Sequence, residues 1–450
     1  MAEMNGRYTP LIENARRVLE ANRLTGVSEW EGKGYDFVCP SREVYPFQWL
    51  WDSAFHAIAL VHVDQRLAKQ EIRCLLQGSQ PNGFMPHMLL WDTTDQQLKL
   101  NQYDIALAHP NFTATTQPPV LPRAIERIYQ ATKDADFVVE VLPPVLLFFD
   151  WLADQRDPDG DGLLSIVQPD ESGLDASPKY DLPLGMSGRA SLVGPELRIA
   201  MQRLLETYGP LRSHPAQLLE SDTFQVEDVM FNSIYADGLR CLARLLRTVP
   251  LPPDWHGGEE VASELESRAK RVTSRLMAKC WDDEVGVFWD LWGKEEKPLR
   301  ILTSSSLFPL ILEDLHPEIV RRLLKEHLLE PAEFWTRYPI PSVAIDEPSF
   351  DPSFRSQAIW RGPTWVNVNW YLYWGLVRHK FDEIASELAN RTFDMVLRGG
   401  QREFFNPLTG EGMGAEDFSW TSLVLDLLWG EGLLDRQKMT GASVTPANPL

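Results

Sequence analysis

Apolar residues recur at three-to-four spacing over long stretches of this chain, which predicts helices separated by polar, aromatic loops. Residues 8–23 carry Leu11, Ile12, Ala15, Val18 and Leu19 on one stripe, with Gly26 just beyond its end. A second run opens at Phe47, passes through residues 57–63 and continues to Leu76, with Asp52 or Ser53 as a natural N-cap. Helical patterns follow at 117–132, 134–152, 191–208, 226–248, 259–280, 304–312, 317–328, 364–379, 380–397 and 420–434. Strand signals are confined to 286–292 and 402–405, short enough for small hairpins. The loop region 77–112 is long, and loops of that length in a compact protein usually carry function.

The stretch 364–379 is apolar nearly all round and should be buried on every side. An inner ring of helices wrapped by an outer ring supplies such positions, as in a closed double ring of six helical hairpins. A plain bundle or superhelix with enclosed core helices satisfies the same pattern. No linker rich in Pro, Gly and Ser interrupts the chain, so one all-α domain is expected over residues 1–440, followed by a polar tail at 441–450.

Composition narrows the function. Sixty-four acidic against 43 basic residues leave a net charge of −21, which argues against nucleic acid and anionic membranes as partners. The N-terminus lacks the basic-then-apolar pattern of a leader, and no run approaches the roughly 20 apolar residues of a membrane span, so a soluble cytoplasmic protein is expected. Cys39, Cys74, Cys241 and Cys280 have neither zinc nor redox spacing. Sixteen tryptophans are a heavy allotment, and those in loops are candidates for stacking on sugars, whose C–H faces are apolar.

The most informative stretch is Gln168-Pro-Asp-Glu-Ser-Gly-Leu-Asp-Ala-Ser-Pro-Lys-Tyr-Asp181, a loop by its Gly, Ser and Pro content, with four acids and no base before Lys179. It is either a solvated connector or the place where one carboxyl is held to hand a proton to a leaving group. Three other loops share its aromatic and acidic character: Tyr45 to Asp52, Trp360 to Trp365, and Glu403 to Trp420. Taken singly, Trp49 and Trp51 read as core aromatics, Asp52 as a cap, Arg361 as a surface charge and 410–414 as an ordinary loop.

Together they form a set. Trp51-Asp-Ser-Ala-Phe-His56, Glu171-Ser-Gly-Leu-Asp-Ala-Ser-Pro178, Trp360-Arg-Gly-Pro-Thr-Trp365, and Glu403-Phe-Phe-Asn-Pro-Leu-Thr-Gly-Glu-Gly412 followed by Phe418-Ser-Trp-Thr-Ser-Leu423 resemble, in order, the motifs of glycoside hydrolase family 63. That family is similar to the trehalases of its clan. The resemblance implies an (α/α)6 barrel and hydrolysis of an α-glycosidic bond with inversion. By motif position it makes Asp175 the general acid and Glu403 the general base. It assigns sugar binding to Asp52, with Tyr45, Trp49, Trp51, Trp360 and Trp420 as walls and Gln117 and Gly173 beside them. An acid of this kind needs a raised pKa, and the two carboxyl groups should stand roughly 6.5–9.5 Å apart to admit a water.

Short bacterial members of the family act on glucosylglycerate or mannosylglycerate, so a small α-glucoside or α-mannoside is the implied substrate. Those enzymes tend to carry His-Pro-Trp-Glu where this chain has Gln168-Pro-Asp-Glu, an arginine before Val-Glu-Asp where it has Gln225, and a tyrosine shortly after where it has Phe231. A neutral aglycone therefore stands beside glycerate. The rivals are a trehalase-like or oligosaccharide glucosidase, and, from another class, a sugar epimerase or isomerase on the same barrel using His56, His87 or His109. No cofactor is required, and a homo-oligomer is compatible with the pattern. Asp157-Pro-Asp-Gly-Asp-Gly has the alternating oxygens of a calcium loop, with Asp157, Asp159 and Asp161 as ligands, but its twelfth position is Gln168. A structural calcium ion and a glycine-rich turn both fit.

Overall fold

A computed structural model of the chain describes residues 2–92, 105–187, 193–253, 255 and 257–434. The expected tail at 441–450 and part of the long loop, 93–104, lie outside the described residues.

The helices form two rings. The inner one runs through Leu50–Leu60, Leu121–Thr132, Val229–Thr248, the 3-10 helix Ser304–Ile311, Val366–Arg378, and Ser419–Leu423 continuing into Val424–Gly430. Each packs on the next, and Ser419–Leu423 packs back on Leu50–Leu60, so the ring closes. Behind them stand Ala2–Ala21, Gln65–Leu76, Ala135–Arg156, Gly258–Arg275, Pro317–Arg322 with Leu323–Leu328, and Asp382–Gly399, each backing one inner helix. The expected (α/α)6 barrel is the fold.

Hydrophobic pattern separates the rings. Every residue of Leu50–Leu60 is buried, and Val366–Arg378 is buried nearly throughout. Gly258–Arg275 buries only Ala262, Leu265, Ala269, Val272 and Thr273, a one-sided stripe suited to the outside. Past the C-terminal end of Leu50–Leu60, the buried Asp426 carboxylate accepts from His62 Nε2 at 2.8 Å, Trp370 Nε1 at 2.8 Å and Trp374 Nε1 at 3.0 Å, and pairs with Arg127 at 3.1 Å. Burial alone would raise its pKa, but Arg127, His62 and Trp370 hold it below the usual carboxylate range.

Some expected boundaries move. Residues 47–76 are not one helix: the chain turns at 61–64 and restarts at Gln65, where Asp64 Oδ1 accepts from Arg66 N at 2.9 Å and Leu67 N at 3.0 Å. Nor is Asp52 or Ser53 the cap of the first piece. The helix begins at Leu50 with Trp49 at its N-cap, so Asp52 falls in the first turn. Strands are more frequent than expected, forming small antiparallel sheets. Arg402–Phe405 pairs with Gly412–Glu416, and Asp290–Trp292 lies in a four-stranded sheet with Lys297–Leu299, Val226–Glu227 and Ser165–Ile166. Several of these strands are two residues long, too short for alternation to show in a sequence. No described helix is long and apolar enough to cross a membrane.

Candidate active site

The inner helices present their N-termini to one cavity. Asp52 lies in the first turn of Leu50–Leu60, Gln117 just ahead of Leu121–Thr132, Trp365 at the N-cap of Val366–Arg378, and Trp420 within Ser419–Leu423. With Tyr45, Trp49, Trp51, Gly173, Asp175, Trp360 and Glu403 they line a space of about 300 Å³. The residues that the family resemblance assigned to catalysis and sugar binding therefore meet in one place.

The walls are aromatic. Trp360 stacks on Trp365 with ring centres 3.7 Å apart, and Trp51 meets Trp420 edge-on at 5.4 Å. Trp360 has φ of 63°, a left-handed conformation that costs a non-glycine residue roughly 1–2 kcal/mol and is held here by the stack. Gly173 also has positive φ, 74°, and a Cβ there would lie 2.3 Å from the Trp51 ring, so only glycine lets the acidic loop pass under that tryptophan.

The acidic loop is no solvated connector. Glu171 is buried and accepts from Thr116 N at 3.0 Å, Val167 N at 3.0 Å and Arg156 Nη2 at 2.9 Å. Lys179 is buried among Asp228, Asp290 and Ser305. Asp181 pairs with Arg361, which is buried and is not the surface charge it resembles in sequence. Asp170 and the half-buried Asp175 face the cavity.

Glu403 sits where the register shifts between Arg402 and Phe404, a bulge that re-aims its side chain. Its Oε1 accepts from Tyr45 Oη at 3.1 Å and its Oε2 from Ala415 N at 2.8 Å. Gly414 (φ 70°) makes the second bond feasible, since a Cβ there would lie 2.6 Å from Glu403 Oε2. Thr364 and Phe405 exchange backbone hydrogen bonds at 2.8 and 2.9 Å, stitching the tryptophan loop to the strand that bears Glu403.

Burial raises all three central carboxyls. Asp175 is pushed well above its ordinary value by burial, then by the charges of Asp170, Asp52 and Glu403. Asp52 is likewise raised well above it by burial and by Glu403. Glu403 is pushed up by burial to about 7, with Ala415 N–H and Tyr45 opposing the shift.

Some lining residues escaped sequence reasoning. Trp365 and Phe418 are neighbours in the quoted motifs and were within reach. Ile105, Leu197, Ala358 and Ile359 line the cavity too, with nothing to distinguish them from core aliphatics. Gln225 and Phe231, singled out at the aglycone end, are not among the lining residues. Neither are His56 and His87, whose imidazoles burial pushes down to about 3, which removes support for an isomerase.

Asp157, Asp159 and Asp161 do cluster, with one oxygen of each within 4.8 Å of the others. They serve their own turn: Gly162 N donates to Asp157 Oδ2 at 3.0 Å and Leu163 N to Asp161 Oδ1 at 2.7 Å. The Lys279 ammonium enters the same cluster, 2.6 Å from Asp161 Oδ2, 3.7 Å from Asp159 Oδ2, and paired with Glu296.

Comparison with known proteins joins this geometry to a family. The model of the mannosylglycerate hydrolase MGH1-like glycoside hydrolase domain matches residues 45–421. The chain belongs to this family. This glycoside hydrolase is 34% identical to mannosylglycerate hydrolase of Thermus thermophilus over 87% of its own length and 96% of the relative's. It is 28% identical to glucosylglycerate hydrolase of Mycolicibacterium hassiacum over 86% and 92%. The crystal structure of the family 63 mannosylglycerate hydrolase from Thermus thermophilus in complex with Tris and D-glycerate superposes with a TM-score of 0.79 at 31% identity, covering 94% of this chain and all of that one.

Proposed function

We propose that this enzyme hydrolyses a small α-mannoside or α-glucoside of the mannosylglycerate or glucosylglycerate type with inversion, using Asp175 as general acid and Glu403 as general base. The observation that carries this reading is the shared aromatic cavity in which both carboxyls stand, Asp175 raised well above its ordinary value by burial and neighbouring charges and Glu403 oriented by Tyr45 Oη and the Ala415 amide. The raised Asp175 is suited to hold a proton for the leaving group, and Glu403, at about 7, is partly ionised near neutral pH and can accept one from water, the division of labour that inversion needs. Glu403, oriented by Tyr45 and Ala415 N–H, takes a proton from a water. The water oxygen attacks the anomeric carbon from the face opposite the leaving group. Asp175 delivers its proton to the departing oxygen, and the product is the β-anomer. Asp52 and the tryptophans hold the sugar.

The relatives named above support glycerate as the leaving group. A neutral polyol is the second reading, favoured by one observation: the described lining residues include Asp52, Asp170, Asp175 and Glu403 and no Lys, Arg or His. Incubation with mannosylglycerate, glucosylglycerate, the corresponding glycosylglycerols and trehalose, followed by NMR of the fresh product, tests both readings. β-Anomer is expected. α-Anomer, epimerised sugar or no turnover overturns the mechanism. Asp175→Asn and Glu403→Gln are each expected to lower kcat on the turned-over substrate by about 10²–10⁴-fold, with the fold retained.

A further inference from the structure

Asp175 stands midway between two buried ionic anchors: Glu171 is four residues before it and Lys179 four after. Glu171 is tied to Arg156, the last residue of an outer helix, and to the Thr116 and Val167 amides. Lys179 Nζ donates to Asp228 Oδ2 at 2.5 Å, Asp290 Oδ1 at 3.2 Å and Ser305 Oγ at 2.9 Å, and Tyr180 Oη donates to the same Asp228 oxygen at 2.6 Å. These acceptors are themselves fixed to the barrel. Asp228 caps Val229–Thr248 by accepting from Phe231 N at 2.7 Å, Asp290 accepts from Val229 N at 2.7 Å, and Ser305 Oγ accepts from Met230 N at 3.2 Å.

Between the anchors the chain has little slack. Gly173 N bonds Asp170 O at 3.0 Å, Ser177 N bonds Leu174 O at 2.9 Å, and Tyr180 N bonds Ser177 O at 3.1 Å. Neither Glu171 nor Lys179 lines the cavity, so neither touches substrate. A buried ammonium between carboxylates is a poor way to stabilise a fold, because desolvation offsets most of the attraction. What it does well is fix a geometry.

We propose that the Lys179–Asp228–Asp290 cluster, with Glu171–Arg156 as its counterpart, is a positioning device that holds the Asp175 carboxyl over the glycosidic oxygen. The proposal rests on Asp175 acting as the acid, and it makes Lys179 and Glu171 positioning residues rather than catalytic ones.

Leaving-group dependence tests it. An alkyl α-glycoside needs its leaving oxygen protonated, whereas the matching α-glycosyl fluoride loses fluoride with little help from an acid. Misplacing the acid by about 1 Å can cost roughly 10²-fold. Lys179→Met should therefore lower kcat about 100-fold on the alkyl glycoside that the wild type hydrolyses, with KM within about threefold, and less than about fivefold on the fluoride. Equal losses on both substrates, a change in KM alone, or no loss would overturn the proposal. If Lys179→Met does not fold, Tyr180→Phe decides, since it removes only the hydroxyl that bonds Asp228 and Ser172 and leaves the ion cluster in place. It should lose activity on the alkyl glycoside and not on the fluoride, and wild-type rates on both would overturn the proposal. Asp175→Asn is the control. If its loss does not depend on the leaving group, the acid assignment itself fails, an outcome separable from failure of the anchors.

Discussion

Four carboxyl groups line one cavity, and burial, which raises Asp52, Asp175 and Glu403, sets how the enzyme responds to pH. With Glu403 raised to about 7, kcat/KM should climb as pH rises toward 7, and it should fall again where Asp175, itself raised by burial, loses its proton. The same shift acts on stability, with a definite sign. The folded pKa of Glu403 exceeds its ordinary value near 4.5, so the native state binds the extra proton and stability declines as pH rises from about 4.5 to about 7. The decline is on the order of 3 kcal/mol for this group. Glu403→Gln, though slowed, should melt higher than the wild type at pH 8, with the gap closing at pH 4.5. Thermal melts at the two pH values check this, and a variant that melts lower at pH 8 would contradict it. Asp175 and Glu403, the proposed acid and base, were legible as a pair because each sits in one of the ordered motifs. The role of Asp52 as a helix cap was misread because a distant contact decides it: Leu50 N bonds His87 O at 3.0 Å, and Gln48–Trp49 pair with Met88–Leu89, which starts the helix early.

At the scale of elements, the hairpin Arg402–Phe405 with Gly412–Glu416 carries Glu403, so the proposed reaction depends on its geometry. Gly414→Ala should push the Ala415 amide off Glu403 and lower kcat by about 10²-fold, while a nearby exposed change such as Leu408→Ala should leave it unaltered. Steady-state kinetics on the two variants distinguishes a local effect from general weakening of the loop. The helices were readable because a 3.6-residue period repeats over many turns. The two-residue strands were not, nor were Leu197 and Ile359, because an aliphatic residue looks the same whether it lines a cavity or fills a core. The helix that carries Leu197, Val193–Tyr208, has a one-sided stripe but nothing that announces its place beside the site.

For the whole molecule, the buried Asp426 joins segments far apart in sequence, and its removal should be felt globally. Asp426→Asn leaves the Arg127 guanidinium without its counter-charge, a loss of about 3–5 kcal/mol. Because Asp426 is held below its ordinary pKa, the stability it supplies is present above about pH 4 and disappears as pH falls through its lower, native value. Urea titrations at pH 7 should show the deficit, and an unchanged midpoint would refute the role. The inner circle of helices also closes between Leu50–Leu60 and Ser419–Leu423, while Asn22 reaches Ser419 Oγ at 2.9 Å and Arg17 pairs with Asp417 at 2.7 Å. A nascent chain emerging from the ribosome cannot make that seam until residues 419–423 have been translated. Synthesis should therefore expose the unsealed Trp51 and Phe55 face to chaperones over the interval between translation of residues 50–60 and 419–423, and a pause inside that interval should hurt yield more than a pause before it.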